Sequence, residues 1–231
     1  MTVTTGGMIE SIEKFHEDLW MLNITPDKMR RYQPGQFLQF SLDEFSYSQP
    51  WPESRTFSIA SWGREYIRIL IKKTGRYTSR IFEEAAPGKR VSLKYPYGDF
   101  LLSENGKKAI LCTGAGISPF LSLLDYLNEA ESREAVFIFH TVPYKSYLVE
   151  SGDIAQYGNV HLVPFVTREN CEFPRRRMLI DDVISTLGDN ANQFTFYLCG
   201  SDGFLLSMQK ELRDNRIERI KSESWTVFKE V

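Results

Sequence analysis

The chain has 231 residues, enough for one large domain or for two domains of about a hundred residues each. Its formal net charge of −2 argues against nucleic-acid binding, which requires a strong basic excess. No apolar run approaches the roughly 20 residues of a membrane span, and the N-terminus lacks the basic start and apolar core of a signal peptide. A cytoplasmic location is therefore expected.

The first half of the chain contains short strands separated by turns. Apolar and polar residues alternate with a period of two, most strictly after the turn-forming Pro34-Gly35. Strands are predicted at residues 11–15, 19–24, 37–42, 55–61, 66–71 and 91–95. One helix, at residues 78–86, interrupts them. Six short strands in succession predict an antiparallel β-barrel, because closure removes exposed strand edges.

Beyond a polar link at residues 103–107, strands alternate with helices. This alternation predicts a parallel sheet of five strands covered by helices. The strands are predicted at residues 109–112, 135–140, 160–166, 194–199 and near 220, and the helices at 120–131, 179–187 and 204–215. We therefore predict two domains, a β-barrel over residues 1–104 and an α/β domain over residues 105–231.

A glycine-containing turn joins the first parallel strand to its helix. Gly114 and Gly116 allow a ligand to approach the backbone closely, and the N–H groups at the helix start face that ligand. Pro119 suits the first helical turn, but it stands where the usual fingerprint has its third glycine. The turn indicates a dinucleotide pyrophosphate site, and an ordinary strand-to-helix turn is the alternative.

The segment Arg55–Ser61, RTFSIAS, closely resembles the flavin-binding signature of the ferredoxin–NADP reductase superfamily, Arg-x-aromatic-Ser-x-x-Ser. Other segments resemble motifs of that family in the same order along nearly the whole chain. They are QPGQF at 33–37, GRYTSRI at 75–81, YPYGDF at 95–100, CTGAGISPF at 112–120, YLCGSDGF at 197–204 and ESW at 223–225. The resemblance implies a flavin-binding barrel followed by an NAD(P)-binding domain.

The resemblance also implies that the barrel holds FAD. The planar guanidinium of Arg55 suits a phosphate, the ring of Phe57 offers a flat surface, and the Ser58 hydroxyl can hydrogen-bond the flavin N5. Thr78 and Ser79, at a helix start, suggest a second anion site. The other residues expected to contact FAD are Thr56, Ile71, Lys72, Gly75, Arg76, Tyr77 and Trp225. Alternatively, Phe57 is barrel core, Arg55 forms a surface ion pair, and the helix is merely capped.

Pyridine-nucleotide contacts are expected at the carboxyl ends of the parallel strands. They fall on Thr113, Gly114, Gly116, Pro119, Thr167, Arg168, Arg177 and Gly200. In family members that use NADPH, a Ser/Thr-Arg pair and a later arginine bind the 2′-phosphate. Arg168 and residues 175–177 match that pattern, so NADPH is expected, with NADH possible. A solvated charged face is the alternative for these arginines.

Ser58, Cys199 and Glu223 are the expected catalytic residues. The resemblance places Cys199 beside the nicotinamide, and Glu223 and Trp225 near the flavin. Alternatively, Cys199 is an inert buried thiol, Glu223 a surface charge and Trp225 a core residue. Chloroplast members of the family end on the aromatic residue, whereas this sequence continues to Val231.

The implied function is that of an FAD-dependent NAD(P)H reductase. Three scattered cysteines and three scattered histidines predict neither a metal site nor an iron–sulfur cluster. Electrons are therefore expected to leave to a separate acceptor, such as ferredoxin or flavodoxin. The alternatives are a flavin reductase, the reductase component of an oxygenase, or a non-catalytic flavin-binding subunit of a larger complex.

Overall fold

The computed structural model describes residues 1–63, 65–102, 105–149 and 158–224, which form two compact units. The first unit combines Met1–Leu102 with Ser118–Ala130, and the second contains the remaining described residues. The predicted boundary at 104/105 assigns the helix after residue 117 to the second domain, whereas the compact units group it with the first. The boundary itself stays a prediction.

The first unit is built on a six-stranded antiparallel sheet. Its strands are β1 Val3–His16, β2 Leu19–Pro26, β3 Phe37–Ser41, β4 Arg55–Ser58, β5 Ile67–Lys72 and β6 Arg90–Tyr97. Their order is β4-β3-β6-β1-β2-β5. The two outer strands approach each other just beyond β4, where the Ala60 N–H donates to the Arg68 carbonyl at 2.8 Å. The sheet is thus a nearly closed barrel, as predicted.

Alternating side chains of these strands fill the barrel. In β2, for example, Leu22 and Ile24 are fully buried whereas Asn23 is not. The core also includes Leu38 and Phe40 from β3, together with Ile9, Ile67, Ile69, Ile71, Val91, Leu93 and Tyr95. The period-two pattern of the sequence therefore reflects one face turned into the barrel.

Two helices accompany the barrel. Helix α1, Arg76–Glu84, buries Tyr77, Thr78 and Ile81. Helix α2, Ser118–Glu129, has an almost wholly apolar first half, and residues 118–124 are all buried. Such a helix is stable only when other elements cover it. In the first unit, α2 contacts the barrel through polar and aromatic side chains along its length.

The second unit is a five-stranded parallel sheet with helices, which confirms the predicted α/β architecture. Its strands are β7 Lys108–Thr113, β8 Val136–Val142, β9 Val160–Val166, β10 Thr195–Gly200 and β11 Ile220–Ser224. Helices α3, Ile180–Leu187, and α4, Asp202–Asp214, follow β9 and β10. No helix within the described ranges has the length and apolar character to cross a bilayer.

The strand order β11-β10-β7-β8-β9 fixes where a ligand can bind. From β7 the chain proceeds to β8 on one side, and it later returns to β10 on the other side. The topological switch point therefore lies between β7 and β10, and open α/β sheets bind ligands outside the carboxyl ends of the strands at such a point. A short 3₁₀ turn, Gly114–Ile117, leaves β7 there and leads into α2.

Candidate functional site

The turn after β7 interlocks with the end of β10. A Cβ atom on Gly116 would lie 2.5 Å from the Cys199 carbonyl oxygen, and one on Gly200 would lie 2.4 Å from the Thr113 hydroxyl. Both positions therefore require glycine for close packing of protein on protein. Gly114 has a positive φ of 54°, a left-handed conformation that glycine adopts readily. Thr113, Gly114 and Ala115 are the partly exposed residues of the turn.

The opposite side of this turn is held by a histidine that sequence reasoning did not select. His140, in β8, is buried, and its Nε2 lies 2.8 Å from the Gly114 carbonyl oxygen. Burial lowers the pKa of His140 to about 4, so the imidazole is neutral at ordinary pH. Its position on a strand of the predicted sheet was the only available signal, because the carbonyl that it contacts is not encoded by a side chain.

The strand register aligns four chemically distinctive residues across the sheet. His140 pairs with Cys112, Cys112 with Cys199, and Cys199 with Glu223. Side chains at paired positions of parallel strands lie on the same face. Both cysteines are buried, and burial raises the pKa of the Cys112 thiol well above its usual value. Cys199 is thus next to both the nucleotide turn and the candidate carboxylate.

Glu223 is half-buried near the end of β11. Its Oε2 atom is buried and has no hydrogen-bond partner within the described ranges. Desolvation raises the pKa of this carboxyl group to about 7. A carboxyl group of this kind can hold or release a proton near neutral pH. Trp225, which the sequence pairs with Glu223, lies outside the described residues.

The arginines after β9 differ in whether their side chains already bind other side chains of the protein. Arg176 donates from both terminal nitrogens to Asp182, at 2.6 Å each, and its guanidinium lies over the Phe165 ring. Arg175 donates to the Asn170 side chain at 3.0 Å. Arg176 is therefore held by structural contacts, and the ion pair lowers the pKa of Asp182.

Arg168 and Arg177 are exposed, and in the part of the chain that the structure describes their guanidinium groups form no hydrogen bond or ion pair. The backbone beside Arg168 is fixed, because its N–H donates to the Pro143 carbonyl at 2.9 Å. The preceding Thr167 also anchors to the end of β8, through its N–H and its hydroxyl to the Val142 carbonyl. These two arginines are thus available to an anion.

In the first unit, Ser58 ends β4 and is buried, with 1% of its surface exposed. Its hydroxyl has no hydrogen-bond partner among the described residues. Its carbonyl accepts a hydrogen bond of 3.4 Å from the Ser118 hydroxyl, at the first residue of α2. A buried hydroxyl normally has a partner, so the Ser58 hydroxyl fits a polar atom of a ligand.

Arg55 lies at the start of β4, with its side chain 49% exposed. It forms an ion pair of 3.2 Å with Glu53 and stacks over the Tyr77 ring, whose centroid is 5.0 Å from the guanidinium carbon. Phe57 is buried against Phe40 in the barrel. These contacts match the packing interpretation of Arg55 and Phe57, and the exposed guanidinium still leaves donors for a phosphate.

The start of α1 is internally capped. The Thr78 hydroxyl accepts from the N–H groups of Thr74 and Gly75 and donates to the Gly75 carbonyl. The Ser79 N–H donates to the Gly75 carbonyl at 2.9 Å and is therefore not free, whereas the Thr78 N–H lies in the first turn of the helix. The first-turn N–H groups of residues 76–78 lack intrahelical partners, as in every α-helix. They are the anion-binding groups that remain.

The other predicted flavin contacts lie on β4, β5 and the start of α1. Thr56 is half-buried in β4, Ile71 is fully buried in β5, Lys72 follows it, and Arg76 is exposed at the start of α1. Pro119 lies in α2 and so belongs to the first unit, whereas Thr113, Gly114 and Gly116 belong to the second. Within the described ranges, no cluster of three or more His, Cys, Asp or Glu residues could hold a metal ion.

Known proteins resemble this chain in sequence. A family model described as the oxidoreductase NAD-binding domain matches residues 110–210. Protein RfbI of Salmonella typhimurium is 24% identical over 183 residues, which cover 75% of this chain and 55% of RfbI. The chain spans about half the length of the first curated relatives that it matches.

Two solved structures share the fold over nearly the whole chain. The Amycolatopsis cytochrome P450 reductase superposes with a TM-score of 0.83 at 18% identity, covering 97% of this chain and 70% of that protein. A ferredoxin NADP⁺ reductase from Neisseria gonorrhoeae, solved with bound FAD and NADP, superposes with a TM-score of 0.79 at 21% identity, covering 96% and 98%. The chain thus contains a segment that matches an oxidoreductase NAD-binding domain, and with the barrel that precedes it the chain shares the two-domain fold of these reductases.

Proposed function

We propose that the chain is an FAD-dependent NAD(P)H oxidoreductase that passes electrons to a separate acceptor. The observation that carries the proposal concerns Ser58, the serine of the RTFS signature, whose buried hydroxyl has no hydrogen-bond partner among the described residues. Leaving a buried hydroxyl without a partner costs about 1–3 kcal/mol. A ligand atom that hydrogen-bonds this hydroxyl removes that cost.

The barrel offers groups for the two phosphates of FAD rather than the single phosphate of FMN. Arg55 presents an exposed guanidinium, and the first-turn N–H groups of residues 76–78 form an anion-binding helix start. Gly75 has open space around its Cα, so the backbone there is accessible. When bound, the flavin supplies the two-electron exchange with the nicotinamide and the onward transfer of electrons.

The second unit offers a site for the pyridine nucleotide at its switch point. The turn at residues 113–117 presents backbone N–H groups to a pyrophosphate. The uncommitted Arg168 and Arg177 supply charge for a 2′-phosphate, which supports NADPH as the preferred nucleotide. Cys199 packs under the nucleotide turn, where its backbone and side chain set how closely the nicotinamide approaches.

Two polar groups then act in the reaction itself. The Ser58 hydroxyl would hydrogen-bond the flavin N5, as donor or as acceptor. Glu223, with a pKa near 7, holds a proton that it can exchange at neutral pH. Orientation of the two rings and these two polar groups constitute the contribution of the protein to the rate.

The cofactor assignment is tested on the purified protein. We expect a yellow protein from which heat releases FAD, identified by chromatography against FAD and FMN standards. In the presence of the purified protein, NADPH should reduce ferricyanide at a steady rate. Recovery of FMN alone contradicts the FAD site, and flavin without NAD(P)H oxidation indicates a non-catalytic flavin-binding subunit.

The acceptor is proposed to be ferredoxin or flavodoxin, consistent with the ferredoxin NADP⁺ reductase among the structural matches. A second candidate, the reductase component of an oxygenase, is favoured by the match to a cytochrome P450 reductase. Cytochrome c reduction by NADPH that depends on added ferredoxin or flavodoxin supports the first. A pull-down from native extract that captures an oxygenase and restores its turnover supports the second.

A further inference from the structure

His140 is a buried titratable residue that the proposed function leaves without a role. It lies in β8, two strands away from β10, and its closest polar contact is a backbone atom of the nucleotide turn. Its Nε2 is 2.8 Å from the Gly114 carbonyl oxygen. The carbonyl can only accept, so Nε2 is the donor and carries the proton.

This contact determines the direction of a neighbouring N–H group. The Gly114 carbonyl and the Ala115 N–H belong to one planar trans peptide, in which the two groups point in opposite directions. A carbonyl held toward His140 therefore turns the Ala115 N–H away from the protein interior. Ala115 is partly exposed, so a ligand can approach this part of the turn.

Side-chain packing within the turn does not provide the same control. Gly114 has a φ of 54° and no Cβ, and open space surrounds its Cα, so side-chain sterics do not fix this peptide plane. Gly116, on the far side, packs closely on the Cys199 carbonyl and fixes the end of the turn. Between these points, the imidazole of His140 is a side chain that hydrogen-bonds the 114–115 peptide, and it reinforces the orientation that the i→i+3 bonds of the 3₁₀ turn favour.

We infer that His140 is a positioning residue of the pyridine-nucleotide site, which orients the Ala115 N–H toward the pyrophosphate through the Gly114 carbonyl. The inference rests on the proposed function of this turn. Burial keeps the imidazole neutral, so the residue supplies direction without adding charge to the site. The expected effect of its loss is weaker nucleotide binding rather than slower chemistry.

The test compares two amide substitutions on the FAD-loaded full chain. His140→Gln keeps a donor at about the reach of Nε2, whereas His140→Asn is one methylene shorter and falls short of the Gly114 carbonyl. Titration calorimetry with NADP⁺ should show about ten-fold weaker binding for His140→Asn and near wild-type binding for His140→Gln. The KM for NADPH should rise in the Asn variant with the rate at saturating NADPH retained.

Equal NADP⁺ affinity in folded wild-type and Asn proteins overturns the inference, and so does an equal loss in the Gln variant. If the Asn variant does not fold, the ¹⁵N NMR spectrum of the His140 imidazole in the wild type shows which ring nitrogen carries the proton. A deprotonated Nε2 cannot donate to the Gly114 carbonyl and overturns the inference. A wild-type chain that binds neither NADP⁺ nor NAD⁺ contradicts the proposed function itself, which distinguishes the two failures.

Discussion

Arg68 in β5 and Asp125 in α2 form a partly buried ion pair, with Nη2 and Oδ2 3.0 Å apart. The same carboxylate oxygen accepts the Trp62 N–H at 3.1 Å. Their side chains expose 14% and 25% of their surface, so solvent screens the pair less than it screens most surface pairs. One carboxylate thus ties the helix to the segment where the barrel edges meet.

Asp125→Ala should lower the free energy of unfolding by about 1–3 kcal/mol, since it removes an acceptor shared by the Arg68 guanidinium and the Trp62 N–H. The matched control is Asp27→Ala, which removes the carboxylate of the more exposed pair with Arg90. That substitution should cost less than about 1 kcal/mol. Urea denaturation of both variants measures the difference, and equal losses would contradict the role of Asp125.

Ser58→Ala should slow flavin reduction by NADPH about ten-fold or more, because one positioned hydrogen-bonding group is lost. Flavin should stay bound, since the phosphate contacts lie elsewhere. Ser61→Ala is the matched control from the same signature. Its hydroxyl already accepts the Arg68 N–H at 2.9 Å, so its removal should reduce stability and leave the rate unchanged. Stopped-flow absorbance measures both rates, and a wild-type rate for Ser58→Ala removes this residue from the catalytic set.

Glu223→Gln should abolish a titration near pH 7. Burial raises the pKa of Glu223 from its usual 4.5 to about 7, so the folded protein favours the protonated form. The stability from this group is therefore fully present below about 4.5 and is lost as the pH rises through about 7. Denaturation midpoints between about pH 5 and 8 should fall less in the variant than in the wild type.

Glu84→Gln provides the control for that profile. Its hydrogen bond to Arg80 lowers the pKa of Glu84, so this group has finished titrating below the range of the experiment. The stability profile of Glu84→Gln should run parallel to that of the wild type.

The flavin-reduction rate of Glu223→Gln should also lose its inflection near neutral pH. An unchanged profile would mean that Glu223 titrates elsewhere.

Arg168→Ala or Arg177→Ala should raise the KM for NADPH about ten-fold and leave NADH nearly unaffected, because a charge-assisted contact to the 2′-phosphate is lost. Arg176→Ala is the control. Its guanidinium is committed to Asp182, so any effect should be the same for both nucleotides. Steady-state kinetics with each nucleotide provide the comparison. If the wild type uses NADH and NADPH equally well, these arginines do not bind a 2′-phosphate and belong to a solvated charged surface.

Gly116→Ala should destabilise the protein by about 1–3 kcal/mol, because the added Cβ would lie 2.5 Å from the Cys199 carbonyl oxygen and the backbone must shift. Gly203→Ala, in α4, meets no atom within 4 Å and should be neutral or stabilising by up to about 1 kcal/mol. Thermal unfolding compares the two. NADP⁺ affinity should fall only in Gly116→Ala.

Periodicity was sufficient to predict the strands of both sheets, but it failed where glycine interrupts it. Residues 3–8 form the first part of β1 and pair with β6, yet the sequence predicts no strand before residue 11. Gly6 and Gly7 provide no side chain to continue the alternation. The structure explains Gly6, whose Cβ would lie about 2.5 Å from the side chains of Asp27 and Arg90.

The candidate site was predictable to the extent that side chains define it. The nucleotide turn and RTFS signature are sequence patterns, and the structure places their residues at the switch point and in β4. His140 was not predictable in this way, because it contacts a backbone carbonyl 26 residues away. Likewise, the three consecutive arginines at 175–177 do not show from sequence that Arg176 pairs with Asp182 and that Arg177 is available to an anion.

Helix α2 has a consequence for exchanging modules between proteins that share this fold. The chain crosses from one compact unit to the other between Ile117 and Ser118, in the middle of the dinucleotide motif. A fragment beginning at residue 105 would carry this apolar helix without the barrel residues that contact Ser118 and Asp125. A chimaera joined at that boundary would therefore need a helix α2 that fits the barrel to which it is joined. Recombination between such proteins should succeed when helix α2 and its own barrel are inherited together.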